Sequence, residues 1–224
     1  MINRGVNMQL QNKKINFLGD SITEGTGASE HPKCYVSQVA DLSGAVCRNY
    51  GIGGTRIAKQ TSASENPRYD LYFASRVDSM DSDADIIVVF GGTNDYGHGD
   101  APIGTMQDRT PDTFYGGLHS LYLSLLEKYP ESVIVVITPT HRCDEDNPCG
   151  SNKTEPVAPL KTYVNIIREV AEYYSFPVLD LFATSGIQPD VKLMKLKYMP
   201  DGLHPNDAGH RIIAKKVVAF LKNM

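Results

Sequence analysis

Five short apolar segments alternate with amphipathic stretches along this chain of 224 residues. The third and fourth segments are apolar at nearly every position, which is typical of strands buried on both faces of a parallel sheet. Between and after the segments, apolar residues recur at helical spacing, and these stretches predict helices. The predicted strands span residues 14–18, 46–50, 85–90, 132–138 and 177–181. The predicted helices span residues 35–42, 70–80, 112–129, 160–174 and a last one from 206 or 207 to 221.

This alternation predicts a single α/β domain that covers residues 1–224. We expect a three-layer α/β/α sandwich around a five-stranded parallel sheet, with right-handed crossovers between the strands. The flavodoxin-like strand order 2-1-3-4-5 is the usual doubly wound arrangement for this number of elements. We find no internal repeat and no linker-like segment that would divide the chain.

The charge of the chain excludes some classes of partner. Lys and Arg number 22 and Asp and Glu number 26, which gives a formal net charge of −4. Such a chain has no basic footprint for nucleic acid or for an anionic membrane. No run reaches the roughly 18 apolar residues of a transmembrane helix, and residues 1–8 lack the apolar core of a signal peptide. We therefore expect a cytoplasmic protein, although a secreted form that has lost its signal would read the same.

Two of the four cysteines, Cys143 and Cys149, flank a polar segment at residues 144–148. A disulfide or a metal clip within this loop is one interpretation. Two reduced thiols are the interpretation we favour, because cytoplasmic proteins keep their thiols reduced. No CxxC pattern supports a zinc site.

Four polar or glycine-rich segments are placed to meet at one edge of the predicted sheet. In a parallel sheet the carboxyl ends of the strands share one edge, and ligands bind there. Three of the segments follow the first three strands, and the fourth precedes the last helix. They are GDSIT at 19–23, NYGIGG at 49–54, GGTND at 91–95 and DGLHPND at 201–207.

Ser21, Asp201 and His204 are the candidates for nucleophilic catalysis. A serine hydroxyl becomes a good nucleophile when a base accepts its proton, and an imidazole titrates near neutrality. The carboxylate of Asp201, three residues before His204, can accept a hydrogen bond from Nδ1–H and fix the tautomer. Structural roles are the alternatives: a helix cap for Ser21, a surface histidine for His204 and a turn cap for Asp201.

Together, these four segments resemble the motif blocks of the SGNH hydrolases, also called the GDSL lipase/esterase family, over residues 15–220. GDSI stands here where the family has GDSL. The resemblance implies an esterase that forms an acyl-Ser21 intermediate, with no metal or organic cofactor. It also implies an oxyanion hole made of the backbone N–H groups of Ser21 and Gly53 and the side-chain amide of Asn94. A free N–H at a helix start, a glycine that allows close approach and a neutral amide donor all suit this role.

Four further residues follow the third and fourth strands at the same edge and are candidates for lining the substrate pocket. They are Tyr96, His98, His141 and Arg142. The sequence has no large apolar lid, so by analogy we expect a small-molecule ester with a short acyl group, such as acetate on a carbohydrate. A lysophospholipase or thioesterase of the same family is the alternative.

A non-catalytic, flavodoxin-like binding module is the competing hypothesis from another class. Residues 21–27, which follow the first strand, resemble a phosphate-cradling loop at a helix N-terminus. That hypothesis gives Asn94, Asp201 and His204 no function, so we favour the esterase.

Overall fold

Five parallel strands form the central sheet of the structure, a computed structural model that describes residues 8–224. The strand order β2-β1-β3-β4-β5 confirms the predicted order. Residues 1–7, to which most of the signal-peptide prediction refers, lie outside the described residues. The strands are β1 (Lys14–Gly19), β2 (Val46–Gly51), β3 (Ile86–Phe90), β4 (Val133–Ile137) and β5 (Val178–Leu179).

Helices cover both faces of this sheet, as the three-layer prediction requires. The α-helices are α1 (Ser21–Glu24), α2 (Tyr35–Ser43), α3 (Thr93–His98), α4 (Phe114–Lys128), α5 (Leu160–Tyr173), α6 (Leu181–Thr184), α7 (Lys192–Tyr198) and α8 (Asp207–Lys222). Alternate residues of a strand point to opposite faces. Ile87 and Val89 therefore share a core with α4 and α5, whereas Ile86 and Val88 share the other core with α2 and α8.

The structure differs from the sequence prediction in several elements, and the short helices α1, α6 and α7 are among those that were not predicted. Residues 70–80 were predicted as one α-helix, but the chain forms two 3-10 helices, Pro67–Asp70 and Phe73–Ser79. The fifth strand ends at Leu179 rather than at residue 181, because the Asp180 carboxylate accepts a hydrogen bond from the Ala183 N–H and begins α6. The short helix α3 was not predicted, although it carries candidate residues of the third motif.

The described residues also bear on the membrane, cysteine and metal predictions. No helix within residues 8–224 is long and apolar enough to cross a bilayer. Cys143 and Cys149 are both free thiols. The same residues hold no group of three or more His, Cys, Asp or Glu side chains that could bind a metal ion.

Candidate active site

Ser21, His204 and Asp201 form a continuous chain of hydrogen bonds. The Ser21 Oγ lies 3.0 Å from His204 Nε2, and His204 Nδ1 lies 2.7 Å from Asp201 Oδ2. Because the carboxylate can only accept, Nδ1 carries the proton and Nε2 is left to accept from the serine hydroxyl. This is the arrangement in which an imidazole can remove the serine proton.

Short local structures hold each of these side chains in place. Ser21 is the first residue of α1, and the Asp20 carboxylate caps that helix by accepting a hydrogen bond from the Ile22 N–H at 3.1 Å. In the second loop, Asp201 Oδ1 accepts hydrogen bonds from the backbone N–H groups of Leu203 at 2.8 Å and His204 at 2.7 Å. The turn therefore fixes the carboxylate against the imidazole three residues later.

The same contacts keep Asp201 ionised. Desolvation acts to raise the pKa of its carboxyl group. The hydrogen bonds from the Leu203 and His204 backbone, together with the imidazole, outweigh desolvation and hold the pKa below its ordinary value. A carboxylate can then stabilise the imidazolium that forms when the base takes a proton.

Gly53 lies beside the predicted nucleophile, but its N–H is already engaged. A Cβ built on Gly53 would lie at an ordinary contact distance of 3.5 Å from Ser21 Cβ but only 2.7 Å from Glu24 Oε2, so a side chain here would displace that carboxylate. Its N–H donates to Glu24 Oε2 at 2.8 Å, and Arg68 binds the other oxygen of this carboxylate. An oxyanion could use the Gly53 N–H only after Glu24 has moved away.

Asn94 is the other predicted donor of the oxyanion hole, and it is 5% exposed. It lies in the first turn of α3, behind Gly92, whose φ of 105° is a left-handed conformation that favours glycine. Its Nδ2 donates one hydrogen bond to the Thr55 carbonyl at 3.0 Å. No acceptor within residues 8–224 takes the second N–H, which remains available to a ligand.

Asp95, the next residue, ties α3 to the loop that follows β2. Its carboxylate accepts hydrogen bonds from the N–H groups of Ile57 at 3.0 Å and Ala58 at 2.9 Å. Burial raises the pKa of Asp95 to about 6 and that of Asp20 to about 7. These two carboxyl groups shape the loops that present Ser21 and Asn94 rather than facing a substrate.

One cavity of about 740 Å³ contains these groups. Ser21, Gly53, Asn94 and His204 all line it. The rest of its wall is formed mostly by residues with polar side chains, among them Arg56, Arg68, Glu24, Glu65, Ser64, Ser151 and Asn152. Among the lining residues that the structure describes, Tyr69 and Leu203 alone have large apolar side chains, so most side chains of the wall can form hydrogen bonds with a ligand.

The four predicted pocket residues divide into two pairs. His98 and Arg142 line the cavity, whereas Tyr96 and His141 lie outside its wall. The Tyr96 ring is 1% exposed, and its hydroxyl donates to backbone carbonyls of the 139–159 loop. His141 is turned toward Glu145, with Nδ1 2.7 Å from Oε1, and its ring packs on Phe182.

Sequence reasoning missed Glu24, Arg56 and Arg68 as residues of this cavity. Glu24 ends α1, three residues after Ser21, so its position on the first motif was an available signal. Arg56 follows the second motif by two positions. Nothing in the sequence pattern indicates that the loop with Arg68 folds back over the first motif.

Comparisons with known proteins agree with this fold. The sequence profile of the GDSL-like lipase/acylhydrolase family matches residues 17–212. A solved protein from Lactobacillus plantarum is 32% identical, with a TM-score of 0.80 over 94% of this chain and 97% of that chain. A GDSL-like lipase by name, from Bacteroides uniformis, is 21% identical, with a TM-score of 0.68 over 95% and 97%.

A carbohydrate acetylesterase family member from Sinorhizobium meliloti also shares the fold. It is 16% identical, with a TM-score of 0.63 over 93% of this chain and 99% of that chain. A search of curated protein sequences gave no match.

Proposed function

This chain belongs to the GDSL-like lipase/acylhydrolase family, and we propose that it hydrolyses a carboxylic ester through an acyl-Ser21 intermediate. The observation that carries the proposal is the hydrogen-bond chain from Asp201 through His204 to Ser21, with the Ser21–His204 distance at 3.0 Å. Ser21 and His204 line a cavity that is large enough for a small ester.

The reaction follows from the roles of the three side chains. His204 Nε2 takes the proton of Ser21 as its Oγ attacks the ester carbonyl, and Asp201 stabilises the imidazolium that forms. The imidazolium then donates this proton to the departing alkoxide, which leaves as the alcohol. In the second half, His204 takes a proton from water, the hydroxide attacks the acyl carbon, and the carboxylic acid leaves as Ser21 recovers its proton.

We propose that the tetrahedral intermediate is held by the N–H groups of Ser21 and Gly53 and by the free N–H of Asn94. Donors that are fixed before the reaction stabilise developing negative charge at no cost of reorganisation. The second N–H of Asn94 has no acceptor among residues 8–224, which supports this role for Asn94. The Gly53 donor becomes available when Glu24 releases it, so we expect Glu24 to move during the cycle.

A short acyl ester of a polar alcohol fits the cavity best. The polar side chains of the wall offer many hydrogen-bond partners to a hydroxylated alcohol, and they surround the acyl group with few large apolar side chains. The fold shared with a carbohydrate acetylesterase family member is in keeping with an O-acetyl carbohydrate as substrate. The alternative within the family, a lysophospholipase or thioesterase acting on long acyl chains, would need an apolar groove.

A panel of esters tests the proposal. We expect the protein to hydrolyse p-nitrophenyl acetate and to release acetate from an acetylated monosaccharide, with kcat/KM falling as the acyl chain lengthens to decanoate. Ser21→Ala should abolish turnover, while the matched control Ser124→Ala, a helix serine bonded to a backbone carbonyl, should not. Turnover by Ser21→Ala at the wild-type rate would refute the mechanism, and a preference for decanoate would refute the short-acyl assignment.

A further inference from the structure

A second chain of hydrogen bonds runs into the site through Arg56, His98 and Asn94. Arg56 Nη2 lies 2.7 Å from His98 Nδ1, and His98 Nε2 lies 3.2 Å from Asn94 Oδ1. Asn94 and His98 are four residues apart on α3, so both side chains lie on the same face of that helix. The chain therefore ends on the amide that the proposed oxyanion hole uses.

The chemistry at both ends of this chain fixes every proton in it. A guanidinium can only donate, so His98 Nδ1 must be the unprotonated nitrogen. The proton of the neutral ring is then on Nε2, which donates to Asn94 Oδ1. At the far end, the Thr55 carbonyl can only accept, so the Asn94 nitrogen must face it. All these contacts agree on one orientation of the amide.

The surroundings of His98 keep its ring neutral. Burial lowers the pKa of His98, and the nearby charges of Arg56, Arg142 and Lys153 lower it further, to about 4. A neutral ring retains the acceptor that Arg56 needs. A protonated ring would place two donors against each other.

We propose that His98, oriented by Arg56, is a positioning residue that holds the Asn94 amide with its free N–H toward the reacting ester carbonyl. The inference rests on the proposed esterase function and goes beyond it, because it assigns a role to residues outside the hydrolytic chain. If the amide turned over, its carbonyl oxygen would face the developing oxyanion and repel it. Thr55 and His98 oppose that rotation from two sides.

A purely structural role for His98, as a link between α3 and the Arg56 loop, makes a different prediction. In that case its loss would lower the stability and disturb the cavity whether or not Asn94 is present. If His98 acts through Asn94, its loss matters only while the amide is there. A double-mutant cycle separates the two roles.

The experiment compares four proteins: the wild type, His98→Leu, Asn94→Ala and the double variant. We expect Asn94→Ala to lower kcat by about 10²–10³-fold, as for other single oxyanion donors. His98→Leu should lower kcat by about 10-fold or more with KM within about 2-fold, because binding of the ground state is spared. In the Asn94→Ala background the same change should cost less than about 2-fold.

Two further variants provide the rescue and the control. A glutamine at position 98 offers one acceptor and one donor, so His98→Gln should recover most of the kcat lost in His98→Leu. His31→Leu makes the same substitution at an exposed histidine outside the cavity and should keep wild-type kinetics. An equal loss from His98→Leu in both backgrounds would overturn the proposal, and so would a failure of His98→Gln to recover kcat.

Nitrogen NMR of the imidazole tests the proton assignment without any turnover. We expect the His98 ring of the full-length protein at neutral pH to show a protonated Nε2 and an unprotonated Nδ1. The opposite tautomer would overturn the proposal. If the wild type hydrolyses no ester at all, the proposed function is refuted instead. Failure of the His98 proposal and failure of the proposed function therefore give different results.

Discussion

Glu24 places a negative charge where ester hydrolysis would develop another one. Its carboxylate accepts the Gly53 N–H at 2.8 Å and is held by Arg68. Sequence reasoning assigned the Gly53 N–H to the oxyanion hole, and the structure shows that N–H bound to a competing anion. A charged acceptor binds an N–H about twice as strongly as a neutral one. In the proposed mechanism, breaking the hydrogen bond between the Gly53 N–H and Glu24 would therefore cost free energy in each catalytic cycle.

We predict that Glu24→Gln raises kcat/KM by roughly 3- to 10-fold, which corresponds to about 1 kcal/mol. The neutral amide accepts the Gly53 N–H more weakly and does not repel an oxyanion. Steady-state kinetics on p-nitrophenyl acetate measures the effect. Glu65→Gln removes a carboxylate from the same cavity wall and shows how much of the gain comes from net charge alone. A decrease in kcat/KM for Glu24→Gln would mean that Glu24 assists the reaction.

Local spacing made some residues predictable and left others hidden. Asp201 and His204 form their contact across three residues, so the sequence alone was enough to pair them. The contact between Ser21 and His204 spans 183 residues and was predicted from the shared edge of the parallel sheet together with the resemblance of the motifs to those of the SGNH hydrolases. The contact between Glu24 and Gly53 depends on how two loops pack, and no pattern in the sequence encodes it.

Among the elements, the buried strands were the easiest to predict and α3 was the hardest. β3 and β4 are continuous apolar runs of five residues rich in Val and Ile, and their short length and β-branched composition distinguish a buried strand from a buried helix. Helix α3 has only six residues and includes a glycine, so it shows neither helical periodicity nor strong propensity. Its start depends on the left-handed conformation of Gly92. Missing α3 also meant missing that Asn94 and His98 share a face.

At the scale of the whole molecule, the strand order brings all four motifs to the carboxyl edge of the sheet. Sequence alone predicted this convergence, because parallel strands of known order leave little freedom for the loops. The sequence did not predict that this arrangement buries two carboxyl groups, which costs free energy of folding when they are ionised. Asp20 and Asp95 are 2% and 4% exposed, and both carry carboxyl groups that would be ionised in water at neutral pH.

Burial of Asp20 makes the stability of the fold depend on pH. Desolvation raises its pKa from 3.8 to about 7, and the nearby charge of Asp95 acts in the same direction. Below pH 3.8 both the folded and the unfolded states hold the proton. Between pH 3.8 and about 7 only the folded state holds it, so the contribution of Asp20 to stability falls as the pH rises. Above about pH 7 both states have lost the proton, and the cost is constant.

We predict that Asp20→Asn gains stability relative to the wild type as the pH rises from about 4 to about 7. The amide oxygen can still accept from the Ile22 N–H, whereas the buried charge is gone. The gain should be on the order of a few kcal/mol, at ~1.4 kcal/mol for each pKa unit. Urea unfolding across this pH range measures it, with Asp41→Asn as the control for an exposed acid. A constant difference between Asp20→Asn and wild type would contradict the prediction.

Covalent labelling with a fluorophosphonate tests most directly whether His204 activates Ser21. We predict a single adduct in the intact mass of the wild type, mapped by peptide digestion to the residues around Ser21. Ser21→Ala should take up no label, and His204→Ala should react at least 100-fold more slowly, since its serine lacks a base. Labelling of Ser21→Ala at the wild-type rate, or an adduct on another residue, would contradict the account.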